Sequence, residues 1–148
     1  MKILVCTDGS DESKKALEEA SVIAKGCNVA EVAIIHVHDP RQDMTFSYES
    51  VTATQMESYK RIMEENKEER KKILSEALKF FEGKKIKAHT ILKEGHPAQT
   101  IVNLAKEEGF DMIVLGSRGF GGLKKLFLGS VSNAVIQEAQ NCSVLVVK

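Results

Sequence analysis

Gly116-Ser117-Arg118-Gly119-Phe120-Gly121-Gly122, then Leu123-Lys124-Lys125-Leu126-Phe127-Leu128, then Gly129-Ser130, is the stretch on which the reading of this chain turns. Before it, Asp111-Met112-Ile113-Val114-Leu115 is a short apolar run of the kind found in buried strands. After it, Val131 to Gln140 has helical spacing. A glycine-rich loop therefore joins a strand to a helix start. Backbone N–H groups converge at such a junction, and the helix N-terminus adds positive potential, so the junction suits phosphate. The spacing is G-x2-G-x9-G-[ST]. It is not the G-x4-G-K-[ST] loop, because Gly121 is followed by Gly122 and not by lysine. Nor is it G-x-G-x-x-G, because Lys124 stands where the third glycine belongs. A surface loop that needs glycines for its turns has the same composition.

Composition limits the alternatives. At 148 residues, with 43% hydrophobic and 28% charged residues, the chain has the size and make-up of one globular domain spanning 1–148. Lys plus Arg equals Asp plus Glu, 21 each, which gives no support for nucleic-acid or membrane-surface binding. Arg118, Lys124 and Lys125 form a small local basic patch. No apolar run approaches the roughly 18 residues of a membrane span, and a cytoplasmic location is expected. Cys6, Cys27 and Cys142 are odd in number and contain no C-x-x-C pair, which argues against a disulfide framework or a structural zinc site. Cys6 and Cys142 sit in apolar strand patterns and read as small buried hydrophobes.

Taken in order, Lys2 to Thr7 is an apolar run with the character of a parallel strand buried on both faces. Asp8-Gly9-Ser10 supplies a turn and an N-cap, and a helix is expected from about Asp11 to Lys25. Glu31 to Val37 is a second strand, ended before Pro40. Strand, helix and strand in this length make a right-handed parallel βαβ unit. From Arg41 to Thr54 the pattern is lost, and the segment reads as a flap beside the strand ends or as disorder. A long helix follows, from about Ala53 to Glu82, with its apolar stripe in the C-terminal half. Its N-terminal half is charged, with Glu64 and Glu68 spaced to pair with Lys60 and Lys72. Lys85 to Leu92 reads as a third strand, Pro97 as the start of a helix that stops at Gly109, and Cys142 to Val147 as the last strand.

Five strands alternating with four helices predict a three-layer α/β sandwich with a mostly parallel sheet. Ligands bind such sheets at the carboxyl ends of the strands, where strand order reverses. The first and fourth strands should flank that point. Thr7-Asp8-Gly9 and the Gly116 loop, more than a hundred residues apart, should then face one crevice.

With these parts in hand, the sequence resembles the universal stress protein (UspA-like) family over its whole length, in particular its ATP-binding branch. The resemblance rests on the opening Ile3-Leu4-Val5-Cys6-Thr7-Asp8-Gly9-Ser10, on Ile35-His36-Val37, on Glu94-Gly95-His96-Pro97 and above all on Gly116-x2-Gly119-x9-Gly129-Ser130. It implies a five-stranded parallel sheet of order 3-2-1-4-5 with helices on both faces, similar to adenine nucleotide alpha hydrolases. It implies nucleotide contacts at Thr7 and Asp8, at Val37 beside adenine, and at Leu115, Gly116, Gly119, Gly129, Ser130 and Val131 around ribose and phosphates. It implies ATP, or AMP or ADP, with Mg²⁺ through the phosphates, and a homodimer formed through Ser143 to Val147. One departure is Cys6, where ATP binders often carry proline; a slight change in first-strand geometry is expected from it.

The residues suit these roles. Gly116 and Gly119 would let the backbone approach phosphate oxygens, and Ser130 offers a hydroxyl and an amide at a helix start. Asp8 reads as a nucleotide ligand, directly or through a water on Mg²⁺, with a helix-entry Asx turn as the alternative. Arg118 and Lys124 read first as solvated cations and second as countercharge. His36 reads as a satisfied core residue, His89 as surface, and His38 and His96 as strand-end residues without metal-ligand spacing. There is no Ser-His-Asp arrangement, no phosphate-loop lysine and no carboxylate pair beyond Asp8. A nucleotide-dependent regulatory protein in stress response is therefore expected, with at most weak ATP hydrolysis. The alternatives are a slow ATPase and a nucleotide-free dimeric interaction module.

Overall fold

The computed structural model describes residues 1–42, 53–119 and 128–148. Strand β1 (Lys2–Cys6) lies at the centre of the sheet because Ile3, Leu4 and Val5 are apolar on both faces and fully buried. It pairs in parallel with β2 (Glu31–His38) on one side and β4 (Met112–Gly116) on the other, with Val5 level with Ile34 and Val114. Strand β3 (His89–Glu94) adds to β2 and β5 (Ser143–Val147) adds to β4. The order is β3-β2-β1-β4-β5 and all four pairings are parallel, so strand order reverses between β1 and β4, as expected.

Alternation along the strands divides the core into two layers. Ile3, Val5, Val32, Ile34 and Val114 pack under α1 (Asp11–Gly26) and α2 (Ala53–Gly83), through Ala16, Leu17 and Ala20 of the first and Leu74, Ala77 and Phe81 of the second. Leu4, Ala33, Ile35, Ile113 and Leu115 pack under α3 (Pro97–Glu108) and α4 (Ser130–Glu138), through Ala98, Ile101, Leu104, Ala105 and Val135. Helix α1 begins as its sequence predicts: Ser10 is the N-cap and accepts from the Ser13 amide, with Asp11 and Glu12 in the first turn. Pro97 opens α3 and Gly109 caps its end.

Two readings need correction. The third strand runs from His89 to Glu94, not from Lys85 to Leu92. Residues 84–86 are used to close α2: Lys85 has a φ of 59°, and the Lys85 and Ile86 amides donate back to Glu82 and Phe81. Pairing with β2 starts only at Ala33 opposite His89. On α2 the charged face pairs differently from the expected set. Glu68 meets Lys71 at 2.7 Å, and longer pairs join Arg61 to Glu65 and Lys72 to Glu76. Of the expected flap, Arg41 to Thr54, residues 43–52 lie outside the described residues; its start belongs to a short 3-10 turn at Pro40–Gln42 and its end to α2, which begins at Ala53. Lys124 and Lys125 also lie outside them.

Candidate functional site

A crevice of about 600 Å³ opens at the carboxyl ends of β1 and β4. All nine residues singled out from the sequence line it: Thr7, Asp8, Val37, Leu115, Gly116, Gly119, Gly129, Ser130 and Val131. The crossover between β1 and β4 brings the two distant stretches together, because each strand ends in its own loop on the same side of the sheet.

One wall is apolar. Cys6, Val37, Ile101 and Leu115 line it, and all belong to or pack on the core layer under α3 and α4. The other end is polar and built from three short segments. The first is the β1–α1 turn. The Asp8 Oδ1 accepts from the Ser10 amide at 2.9 Å, so the Asx turn is present. The other carboxylate oxygen, Oδ2, would clash with a Cβ on Gly119. Asp8 thus serves the turn with one oxygen and faces the glycine loop with the other. Thr7 faces the start of α1: its hydroxyl lies 3.2 Å from the Ser13 hydroxyl and accepts from the Gly9 amide.

The second segment is the β4 end. A Cβ on Gly116 would meet the backbone of Glu12, 2.7 Å from its carbonyl carbon. Gly116 still lines the crevice, and it is the side where its Cβ would stand that α1 fills. The Ser117 amide donates to the Val147 carbonyl at 2.6 Å, tying the loop to β5. The third segment is the start of α4. The Gly129 amide donates to the Ser117 carbonyl at 2.8 Å, and the Ser132 hydroxyl donates to the Gly116 carbonyl at 2.8 Å, closing the loop base. Gly129 is the N-cap and offers no side-chain cap. The amides of the first turn therefore have no side-chain acceptor there, and Ser130, Val131 and Ser132 all line the crevice.

His36 lines the crevice as well and is tied to the end of β1. Its Nδ1 lies 2.9 Å from the Thr7 carbonyl oxygen. A carbonyl only accepts, so Nδ1 carries the proton in the neutral ring. Burial, ahead of the Arg70 and His38 charges, pushes the imidazole pKa down against the opposing effects of this hydrogen bond and of Asp8. Burial also pushes the Cys6 thiol up, with the Asp8 charge adding to it, which favours the protonated thiol in the crevice wall. At the end of β2, Asp39 takes a bidentate contact from Arg41, which holds its carboxyl at about 2.

The sequence missed several lining residues. Ser13, Ile101 and Ser132 sit inside helices, where periodicity marks them only as inward-facing. Arg118 lines the crevice too, and its Nη2 is 3.6 Å from Glu12 Oε1. His38 lines it; of the Gly95-His96-Pro97 turn, Pro97 is the lining residue. Among the described residues no three His, Cys, Asp or Glu side chains gather into a possible metal site.

Comparison with known proteins gives a consistent result. A sequence profile of the universal stress protein family matches residues 1–148. The chain is 42% identical over 147 residues to universal stress protein YxiE of Bacillus subtilis, covering 99% of this chain and 98% of that one. The solved structure of MJ0577, a universal stress protein of Methanocaldococcus jannaschii, superposes with a TM-score of 0.82 at 33% identity, covering 99% and 94% of the two chains. A universal stress protein solved in complex with cAMP superposes with a TM-score of 0.69 at 26% identity, covering 100% and 97%. By profile, sequence identity and fold, this chain belongs to the universal stress protein family.

Proposed function

We propose that the crevice binds an adenine nucleotide, with ATP the first candidate ahead of ADP and AMP, and that the bound nucleotide sets the state of a regulatory protein in stress response. The observation that carries this reading is the start of α4. Its uncapped first-turn amides open into a crevice at the point of strand reversal, beside a loop whose Gly119 closes onto Asp8. The apolar wall of Cys6, Val37, Ile101 and Leu115 suits a flat base, and the polar end suits ribose and phosphates. The relative solved with cAMP supports an adenine-bearing ligand. Mg²⁺ would come with the phosphates, and Asp8 is the carboxylate at hand to meet it through water.

In this reading residues 1–148 act as one domain in the cytoplasm. They pair with a second copy through β5, whose apolar Val144 to Val147 form a sheet edge. The opposite edge, β3, carries His89, Lys93 and Glu94, which discourage pairing. A slow ATPase is the second reading, favoured by the Asp8 oxygen that faces the loop. The test is the mass spectrum of the small molecule released on denaturing the purified protein, followed by a single-turnover assay with Mg²⁺. An adenine nucleotide, turned over far below about 1 s⁻¹, is expected. Turnover at or above that rate would make the protein an enzyme. No released nucleotide, with no thermal shift on adding ATP, would leave an interaction module.

A further inference from the structure

Arg118 stands between two places that want a cation or an anion. Its Cα lies 3.3 Å from where a Cβ on Gly129, the N-cap of α4, would be. Its guanidinium reaches the other way, with Nη2 3.6 Å from Glu12 Oε1 in the first turn of α1. At that distance the two are paired by charge without a hydrogen bond. Among the described residues none of the guanidinium N–H groups donates one. The pair is partly exposed, the side chains being 29% and 25% accessible, so it contributes little to the fold and is cheap to break. Arg118 also lines the crevice, and Glu12 does not.

We propose that Arg118 is a phosphate-reading residue held in reserve by Glu12: a nucleotide with a phosphate chain seated on the α4 amides draws the guanidinium off Glu12. The proposal rests on the nucleotide reading of the crevice. A guanidinium presents a planar fork of donors that fits phosphate oxygens, and a dianionic or more highly charged phosphate chain outbids one carboxylate at a long distance. Glu12 then acts as a competitor, and its removal should strengthen binding. The contribution should rise with phosphate number, because adenosine offers Arg118 nothing.

The test is calorimetric titration of the nucleotide-stripped full chain with ATP, ADP, AMP and adenosine. Arg118→Gln is expected to weaken ATP roughly tenfold and to leave adenosine unchanged, the size of one charge-assisted contact. Glu12→Gln is expected to tighten ATP by about threefold to tenfold. Glu12→Asp keeps the negative charge at the start of α1 but withdraws the carboxylate from Arg118, so it should also tighten ATP and guards against a helix-start defect. In the Arg118→Gln background the gain from Glu12→Gln should vanish. If that gain persists there, Glu12 merely repels phosphate and the proposal is wrong. If Glu12→Gln and Glu12→Asp leave ATP binding unchanged while the unaltered protein binds ATP, the proposal fails and the nucleotide reading stands. If the unaltered protein binds none of the four ligands, both fail.

Discussion

Asp8 Oδ2 lies within clashing distance of the position that a Cβ on Gly119 would take. The two residues are 111 apart in sequence and meet only because β1 and β4 are neighbours. This contact distinguishes Gly119 from Gly116 of the same motif. At Gly116 the atoms in the way belong to the Glu12 backbone, which cannot step aside.

The two glycines should therefore fail in different ways. Gly119→Ala pushes on a movable side chain, so the fold should be retained while Asp8 is displaced and nucleotide affinity falls roughly tenfold. Gly116→Ala drives a methyl into helix backbone and should cost about 1–3 kcal/mol of stability. Chemical denaturation and nucleotide titration of both variants separate the outcomes. Equal stability with equal binding would remove the close approach from the account.

His36 gives the fold an acid limit. Its imidazole pKa is pushed below the ordinary 6.5 by burial. Above 6.5 both folded and unfolded chains carry it neutral, and its full contribution is present. As pH falls below 6.5 the unfolded chain takes up the proton first, and stability declines until the lowered folded value is passed. His36→Gln can still donate to the Thr7 carbonyl but does not titrate. It should flatten this part of the stability–pH curve, measured by denaturant unfolding from pH 8 to 5. An unchanged slope would assign the acid sensitivity to other groups.

The β5 edge has a geometric test. The Ser143 amide donates to the Asp111 carbonyl and the Ser117 amide donates to the Val147 carbonyl, so odd-numbered residues of β5 face β4. The Val144 and Val146 amides then point outward. Val146→Pro removes an outward donor and leaves the β4 ladder intact. It should convert a dimer to a monomer in sedimentation velocity with little change in helix content. A dimer that survives would have to use another surface.

Much of this was legible because the signals are local. The Ser10 cap, the Pro97 start and the apolar strands at Ile3–Val5 and Ile113–Leu115 each follow from a few neighbouring residues. The strand reversal followed from the alternation of elements, and it brought Asp8 and Gly119 to one crevice. The third strand was misjudged because Ile86 and Ala88 are apolar for another reason: they pack on the core beneath the end of α2 without pairing. The close approach of Gly116 to Glu12 was hidden because it is set by how α1 crosses β4, and no spacing rule contains that distance. The Arg118–Glu12 pair was hidden for the same reason.

The measurement that bears most directly on the account is the thermal unfolding of the nucleotide-stripped protein with and without ATP and Mg²⁺. At 100 times the dissociation constant a ligand of the folded state stabilises by about 2.7 kcal/mol. For a chain of this length that raises Tm by roughly 5–11 °C. The account predicts such a rise for ATP in the unaltered protein and, at the same ATP concentration, about half of it in Gly119→Ala. An unaltered protein whose Tm stays fixed at millimolar ATP would contradict it.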